Sequence, residues 1–317
     1  MVPIQLAGMG GGVNSPELVA AVASAGGLGM LASSYRPLQD QCDALSKLGV
    51  DVFGVNFLVP FINESDVEFA SGRARLVEFF WGAPDAQRVA RVHEGDALAG
   101  WQVGSADEAR AALDAGCDLI VAQGLEAGGH VRATLPLMTV LTAVLDVVDG
   151  HAVVVASGGI GSARAMAAAL AAGADAVRVG TRFVAARESN AHALYRDALV
   201  RAGVDNTILT TAYGQDTGWP DAPHRVLRAG FDTASSLEPG PVAELDRGDL
   251  SGLVPIERFA TLPPTSDCHG SISAMAHYAG LSVADVTKVM SAAEIIGELA
   301  DGAEALLRAA APHAPNS

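Results

Sequence analysis

Short apolar runs alternate with amphipathic stretches through the first 180 residues of this chain. The apolar runs fall at 3–9, 28–32, 53–58, 76–80, 97–103, 119–122, 152–156 and 176–179. Runs this short suit strands covered on both faces, since a strand with helices on either side has no solvent face to carry polar residues. Between them the spacing predicts helices at 16–25, 37–47, 64–74, 84–93, 106–115, 135–148 and 162–172. The punctuation agrees: Ser15 stands at an N-cap with Pro16 at the first helical position, and Gly26-Gly27 and Gly116 stand where helices end.

Eight strand–helix units at a spacing of roughly 25 residues predict a closed parallel (β/α)8 TIM barrel, in preference to an open doubly wound sheet of six or so strands. Right-handed crossovers then place every strand's C-terminal end on one face. Asn56, Gln102, Gln123, His130, Ser157 and Gly180 all lie at or just beyond such ends, so they converge on one mouth.

The rhythm fails after residue 200. Residues 207–264 are rich in Gly, Pro, Asp and Thr and include Trp219-Pro-Asp-Ala-Pro-His-Arg225. That is too long for a simple loop, so the expected organisation is a barrel domain from 1–204 and 270–317 with 205–269 inserted as a lid or small subdomain. Helices are expected at 273–278, 283–290 and 292–311, the last interrupted at Gly302, with a frayed tail over 312–317.

Composition narrows the partners. A formal charge of -16 opposes nucleic acid and anionic membranes. No apolar run reaches the roughly 18 residues of a spanning helix, and the N-terminus lacks a basic, cleavable leader. Three scattered cysteines suggest neither disulfides nor zinc. The expectation is a cytoplasmic monomer or homodimer acting on a small molecule.

The chemistry gathers after the sixth strand, in Gln123-Gly-Leu-Glu-Ala-Gly-Gly-His130. Its glycines let backbone pass close to something flat, and a histidine beyond them can exchange a proton. Ser157-Gly158-Gly159-Ile160-Gly161 and Gly180-Thr181 follow the seventh and eighth strands, where barrels commonly build a phosphate site from bare amides. Arg182 is placed either to add charge there or to face solvent. No P-loop is present, Gly8-Met9-Gly10-Gly11-Gly12 lacks the second half of a dinucleotide fingerprint, and no metal-ligand cluster is evident. His224 and the Ser266, Cys268, His269 group read as structural, while Tyr278 is placed equally to pack in the core or to approach a bound ligand.

Taken in order, Pro3-Ile-x-x-Ala7-x-Met9, the Ala25-Gly-Gly-Leu-Gly29 turn, Gly54-Val-Asn56-Phe, the Gln123–His130 stretch, Ser157-Gly-Gly-Ile160 and Gly180-Thr-Arg-Phe183 resemble the nitronate monooxygenase family, once called 2-nitropropane dioxygenases. The resemblance implies an FMN-containing TIM barrel. It implies that Gly158, Gly159, Gly180 and Thr181 hold the FMN phosphate, and that Ala7, Gly8, Met9, Asn56, Gln123 and Gly128 meet the ring or ribityl chain. Gln102, Gly129 and Ser157 complete that set. His130 matches the family's catalytic histidine beside flavin N5. Gln102 stands where the family often has lysine, which removes a positive charge from the N1–C2 edge of the ring, and Val131-Arg132-Ala133 and Leu281 also depart from the pattern. The implied reaction is oxidation of nitronates or nitroalkanes with O2 to a carbonyl compound and nitrite through a one-electron-reduced flavin. An NAD(P)H-dependent FMN reductase of enoyl-thioester or quinone substrates is the alternative, and a non-catalytic flavin-binding protein the third reading.

Overall fold

The computed structural model describes residues 2–32, 34–215, 218–219, 222–248 and 252–310. The expected frayed tail, and Pro220 and Asp221 of the tryptophan-containing motif, lie outside the described residues.

Eight parallel strands form the centre: Ile4–Leu6, Met30–Ala32, Gly54–Leu58, Leu76–Phe80, Leu98–Val103, Leu119–Gln123, Val153–Ser157 and Ala176–Val179. From the second to the eighth each pairs with its neighbour in sequence, and the first pairs with the eighth. The ring closes between the first strand and the approach to the second, where Leu28 N–H donates to Ile4 O and Leu6 N–H donates to Leu28 O, both at 2.9 Å. The expected barrel is therefore present. It forms because nearly every strand residue is buried and must find packing on both faces.

The helices start where the sequence offers caps. Ser15, Asp85, Ser105 and Ser162 each accept from a backbone amide of the following turn, satisfying donors that have no partner within the helix. The last helix, Ala292–Ala310, runs through Gly302 without the expected break. A Cβ there would lie 2.6 Å from the Ala163 Cβ, so this glycine serves close packing against the helix Ala163–Ala171.

Two other expected helices are single 3-10 turns, Ile272–Ala274 and Leu281–Asp285. Their backbone is engaged elsewhere. Leu227 N–H donates to His277 O, Ala279 N–H to Arg225 O and Leu281 N–H to Glu126 O, and those pairings replace the helical ladder.

Residues 205–269 carry two small antiparallel sheets and the helix Arg228–Ser236. In the first sheet His224–Leu227 lies between Thr207–Thr210 and the two-residue strand Gly129–His130, with His224 opposite His130. In the second, Pro241–Asp246 lies between Leu253–Glu257 and Cys268–Gly270. The loop after the sixth barrel strand is thus stitched to a segment more than ninety residues downstream. Among the described residues no helix is long and apolar enough to cross a membrane.

Candidate active site

The strand ends open into one cavity of about 300 Å³, and all fourteen residues singled out from the sequence line it. Ala7, Gly8 and Met9 come from the first strand's end, Asn56 from the third, Gln102 from the fifth, and Gln123, Gly128, Gly129 and His130 from the sixth. Ser157, Gly158 and Gly159 follow the seventh strand, and Gly180 and Thr181 the eighth. The barrel closure brings them together; no two of these groups need be near in sequence.

The glycines do different work from one another. Gly158 and Gly159 adopt φ of 107° and 71°, a region that side chains oppose. Among the described residues the amides of Gly158, Gly159 and Thr181 donate to no backbone carbonyl. Thr181 Oγ1 accepts from Gly280 N–H at 3.1 Å, which leaves its own proton to donate. Gly128 was expected to clear room for a flat ligand, but the space its Cβ would fill holds protein: it would lie 2.4 Å from Gly280 N. Gly129 has open space around it and a φ of 72°, so its need is conformational.

Gln123 holds the loop that carries the histidine. Its Nε2 donates to His130 O and its Oε1 accepts from Arg132 N–H, both at 2.9 Å. Glu126 in the same loop accepts from Leu137 N–H at 2.8 Å and so caps the next helix.

Below these residues lies a buried polar network that the sequence reading did not single out. Arg178, mid-strand in the eighth strand, makes a two-pronged ion pair with Glu78, mid-strand in the fourth. Arg178 Nη1 also donates to Gln102 Oε1 at 2.7 Å, and Asn56 Nδ2 donates to Glu78 Oε1 at 2.7 Å. Glu78 is 0% and Arg178 3% exposed. Arg178 is the one Lys or Arg among the lining residues, so a cation does stand beside Gln102, balanced by a carboxylate. Because Arg178 pins the Gln102 carbonyl, the amide's NH2 is the end left for a ligand. The signal was present: a charged residue inside each of two apolar strands has to be paired. Arg182 takes no part in the cavity. It is buried against Gly161 O at 2.9 Å and Glu298 at 3.2 Å, bracing the seventh turn from behind.

His130 stands at the mouth, half-buried, in an aromatic enclosure. Its ring centroid lies 3.9 Å from Trp219, 5.6 Å from Trp81 and 6.3 Å from Tyr278. Trp81 sits at φ 64°, a strained conformation for a bulky residue and one that clusters at functional sites. His130 Nε2 lies 2.7 Å from Nε2 of His224, which is fully buried and had read as structural. Burial, with the nearby His224 adding to it, holds the His130 imidazole well below its ordinary 6.5. Burial likewise pushes His224 and His277 down to about 4, each partly offset by a bond to a backbone carbonyl.

These shifts predict acid sensitivity. Between pH 6.5 and 4 the unfolded chain binds protons that the native His224 and His277 refuse, so stability rises with pH across that window. Each such histidine contributes a slope of up to about 1.4 kcal/mol per pH unit. Urea midpoints are expected to fall between pH 7 and pH 5, and His277→Gln is expected to flatten the fall. A flat profile in the parent protein would contradict the buried neutral state.

Ser266, Cys268 and His269 form no nucleophilic site: Cys268 is buried against Thr265, while His269 is exposed. Among the described residues no group of acidic, His or Cys side chains is arranged to hold a metal.

Comparison with known proteins agrees with this geometry. The nitronate monooxygenase family profile matches residues 1–302. A Mycobacterium tuberculosis protein named as a 5-hydroxy-7a-methyl-1-oxo-octahydro-indene-4-carboxyl-CoA dehydrogenase is 36% identical over 75% of this chain and 66% of its own length, just under two thirds. A probable nitronate monooxygenase of Staphylococcus aureus is 32% identical over 67% of this chain and 72% of its own. Among solved structures, FabK from Thermotoga maritima superposes with a TM-score of 0.75 at 27% identity, covering 97% of this chain and 94% of that one. Nitroalkane oxidase from Streptomyces ansochromogenes gives 0.71 at 27% identity, covering 96% and 97%. With a family match over nearly its whole length and the barrel-mouth cavity in place, this chain belongs to the nitronate monooxygenase family.

Proposed function

We propose that the protein is an FMN-dependent oxidoreductase whose substrate is a neutral nitroalkane, deprotonated at His130 to the nitronate and oxidised with O2 to a carbonyl compound and nitrite. The observation that carries the reading is an imidazole at the mouth of an apolar cavity, enclosed by Trp81 and Trp219, where burial lowers its proton affinity. The sequence left both a nitronate and a nitroalkane open as the form that meets His130. A lowered proton affinity suits His130 to act as a base, which favours the neutral acid as the form that binds.

FMN suits the chain's own features. The unpartnered amides of Gly158, Gly159 and Thr181, with the Thr181 hydroxyl, form a cradle for a dianionic phosphate that needs no lysine. Ala7, Gly8 and Met9 form the cavity wall beside Gly180, and Asn56, Gln102, Gln123 and Ser157 offer side-chain hydrogen bonds. The volume lies at the low end of small-molecule sites. When bound, the flavin supplies the electron acceptor for the deprotonated substrate, with O2 as co-substrate. The protein's own part is to strip water from the substrate with Trp81, Trp219 and Phe80, and to take its proton on His130. Residues 205–269, which contribute Trp219 and His224 here, are read as the substrate-side lid.

A second reading, a flavin reductase or dehydrogenase of acyl thioesters, draws on the similarity to FabK and to the carboxyl-CoA dehydrogenase. One experiment separates the two. Holoprotein is titrated without oxygen, first with a nitroalkane and then with NAD(P)H, while the visible spectrum is followed. Bleaching by the nitroalkane alone supports the first reading. Bleaching by NAD(P)H alone, or by a saturated acyl-CoA, replaces it with the second.

A further inference from the structure

His130 and His224 touch through one nitrogen each, at 2.7 Å, and the second contact of His224 decides which of them holds the proton. His224 Nδ1 lies 2.8 Å from Ala222 O. A carbonyl oxygen only accepts, so Nδ1 carries the hydrogen. A neutral imidazole has a single N–H, so His224 Nε2 is then bare and can only accept. The hydrogen in the 2.7 Å contact therefore sits on His130 Nε2. That leaves His130 Nδ1 as the basic nitrogen of the pair, and among the described residues it has no hydrogen-bond partner.

We propose that His224 is a positioning residue that locks His130 in the Nε2–H tautomer, so that Nδ1 alone is presented to the substrate as the base. The proposal rests on the reading of His130 as the proton acceptor and extends it to the residue that sets its tautomer. The arrangement parallels a histidine oriented by a carboxylate, with a neutral imidazole as the orienting acceptor. The difference has a consequence. A neutral acceptor steadies the N–H without a negative charge, so His130 stays a weak base that is free of its proton at mildly acidic pH. Burial of His224 keeps it neutral over the same range, as the direction of its shift requires.

The strand pairing holds the geometry, since His224 is register partner to His130. Around the pair, the Tyr278 ring stacks near His224 at 6.0 Å and its hydroxyl donates to Thr261 O, so it does not compete for Nε2. Tyr213 lies 6.2 Å from His224, ring to ring. Arg132 lies over Trp81 and is held by Glu108, while Arg225, next along the strand, reaches Leu125 O. No carboxylate is hydrogen-bonded to either ring among the described residues.

The test reads the tautomer directly. The FMN-loaded protein is labelled with 15N-histidine, and two-bond 1H–15N correlations are recorded from pH 5 to 8, with the His130 signals assigned by their loss in His130→Asn. The expected result is His130 protonated on Nε2 throughout. In His224→Leu the tautomer is expected to mix and kcat to fall about 10- to 100-fold with KM little changed. His224→Gln keeps an acceptor where Nε2 was, and is expected to restore the tautomer and most of kcat. A proton on Nδ1 of His130 in the parent protein overturns the proposal. So does a leucine variant with unchanged tautomer, or a glutamine variant as impaired as leucine, which would mark a packing role. If His224→Leu does not fold, the parent spectrum and His224→Gln still decide. If His130→Asn retains full turnover while the tautomer is as stated, the base reading fails and the hydrogen-bond chain stands.

Discussion

Arg178→Met is expected to lower the unfolding free energy by about 3–5 kcal/mol, because it leaves the Glu78 carboxylate in the barrel interior without its partner. Glu78 accepts from Arg178 through both oxygens, from Asn56 through one and from Gln5 through the other, and it has no exposed surface. Two neutral amides cannot replace a guanidinium. The double variant Glu78→Leu with Arg178→Met removes both charges, so it is expected to cost much less than the sum of the single changes. Guanidinium unfolding of the four proteins gives the coupling directly. Additive costs would show that the pair is not coupled. The same pair bears on the cofactor. Glu78→Gln leaves the Arg178 charge unbalanced beside Gln102, and the flavin's reduction potential in the holoprotein is expected to rise. An unchanged potential would mean that Arg178 does not act on the ring.

This network marks where reading the sequence stopped short. Strand positions followed from apolar runs, since a parallel strand between two layers has no polar face; Leu76–Phe80 and Ala176–Val179 were placed to the residue. Their ends gave the cavity, because the closure of eight units leaves one mouth. Glu78 and Arg178 sit inside those same runs as isolated exceptions to the apolar pattern, with nothing local to say what pairs them. Side-chain alternation points both into the barrel, and only the closed ring makes strands four and eight face each other across it. His224 was hidden for a different reason. Its partner is fixed by a two-strand contact between a glycine-rich loop and a segment with no helical or strand periodicity of its own, and such long-range pairing leaves no local signature. The 271–290 stretch failed for a related reason: its helical spacing was real, but its backbone donors and acceptors found partners in the loops around His130.

His130→Asn is expected to reduce kcat/KM for a neutral nitroalkane by about 10²- to 10⁴-fold, the range that a positioned base contributes. Asparagine can keep a polar contact to His224 but has no nitrogen able to take a proton near neutral pH. FMN content and the urea midpoint at pH 7 are expected to stay near those of the parent, since neither the amide cradle nor the Glu78–Arg178 pair involves this side chain. A preformed nitronate already lacks the proton, so its turnover should fall far less, and the ratio of the two losses isolates proton transfer from binding. The parent protein's pH profile adds a second check. Because burial and His224 hold His130 well below 6.5, kcat/KM for the neutral substrate is expected to show no break at the ordinary imidazole value and to fall only in more acidic buffer. A break near 6.5 would indicate an imidazole in ordinary solvent, and equal losses on nitroalkane and nitronate would assign His130 to binding in place of proton transfer.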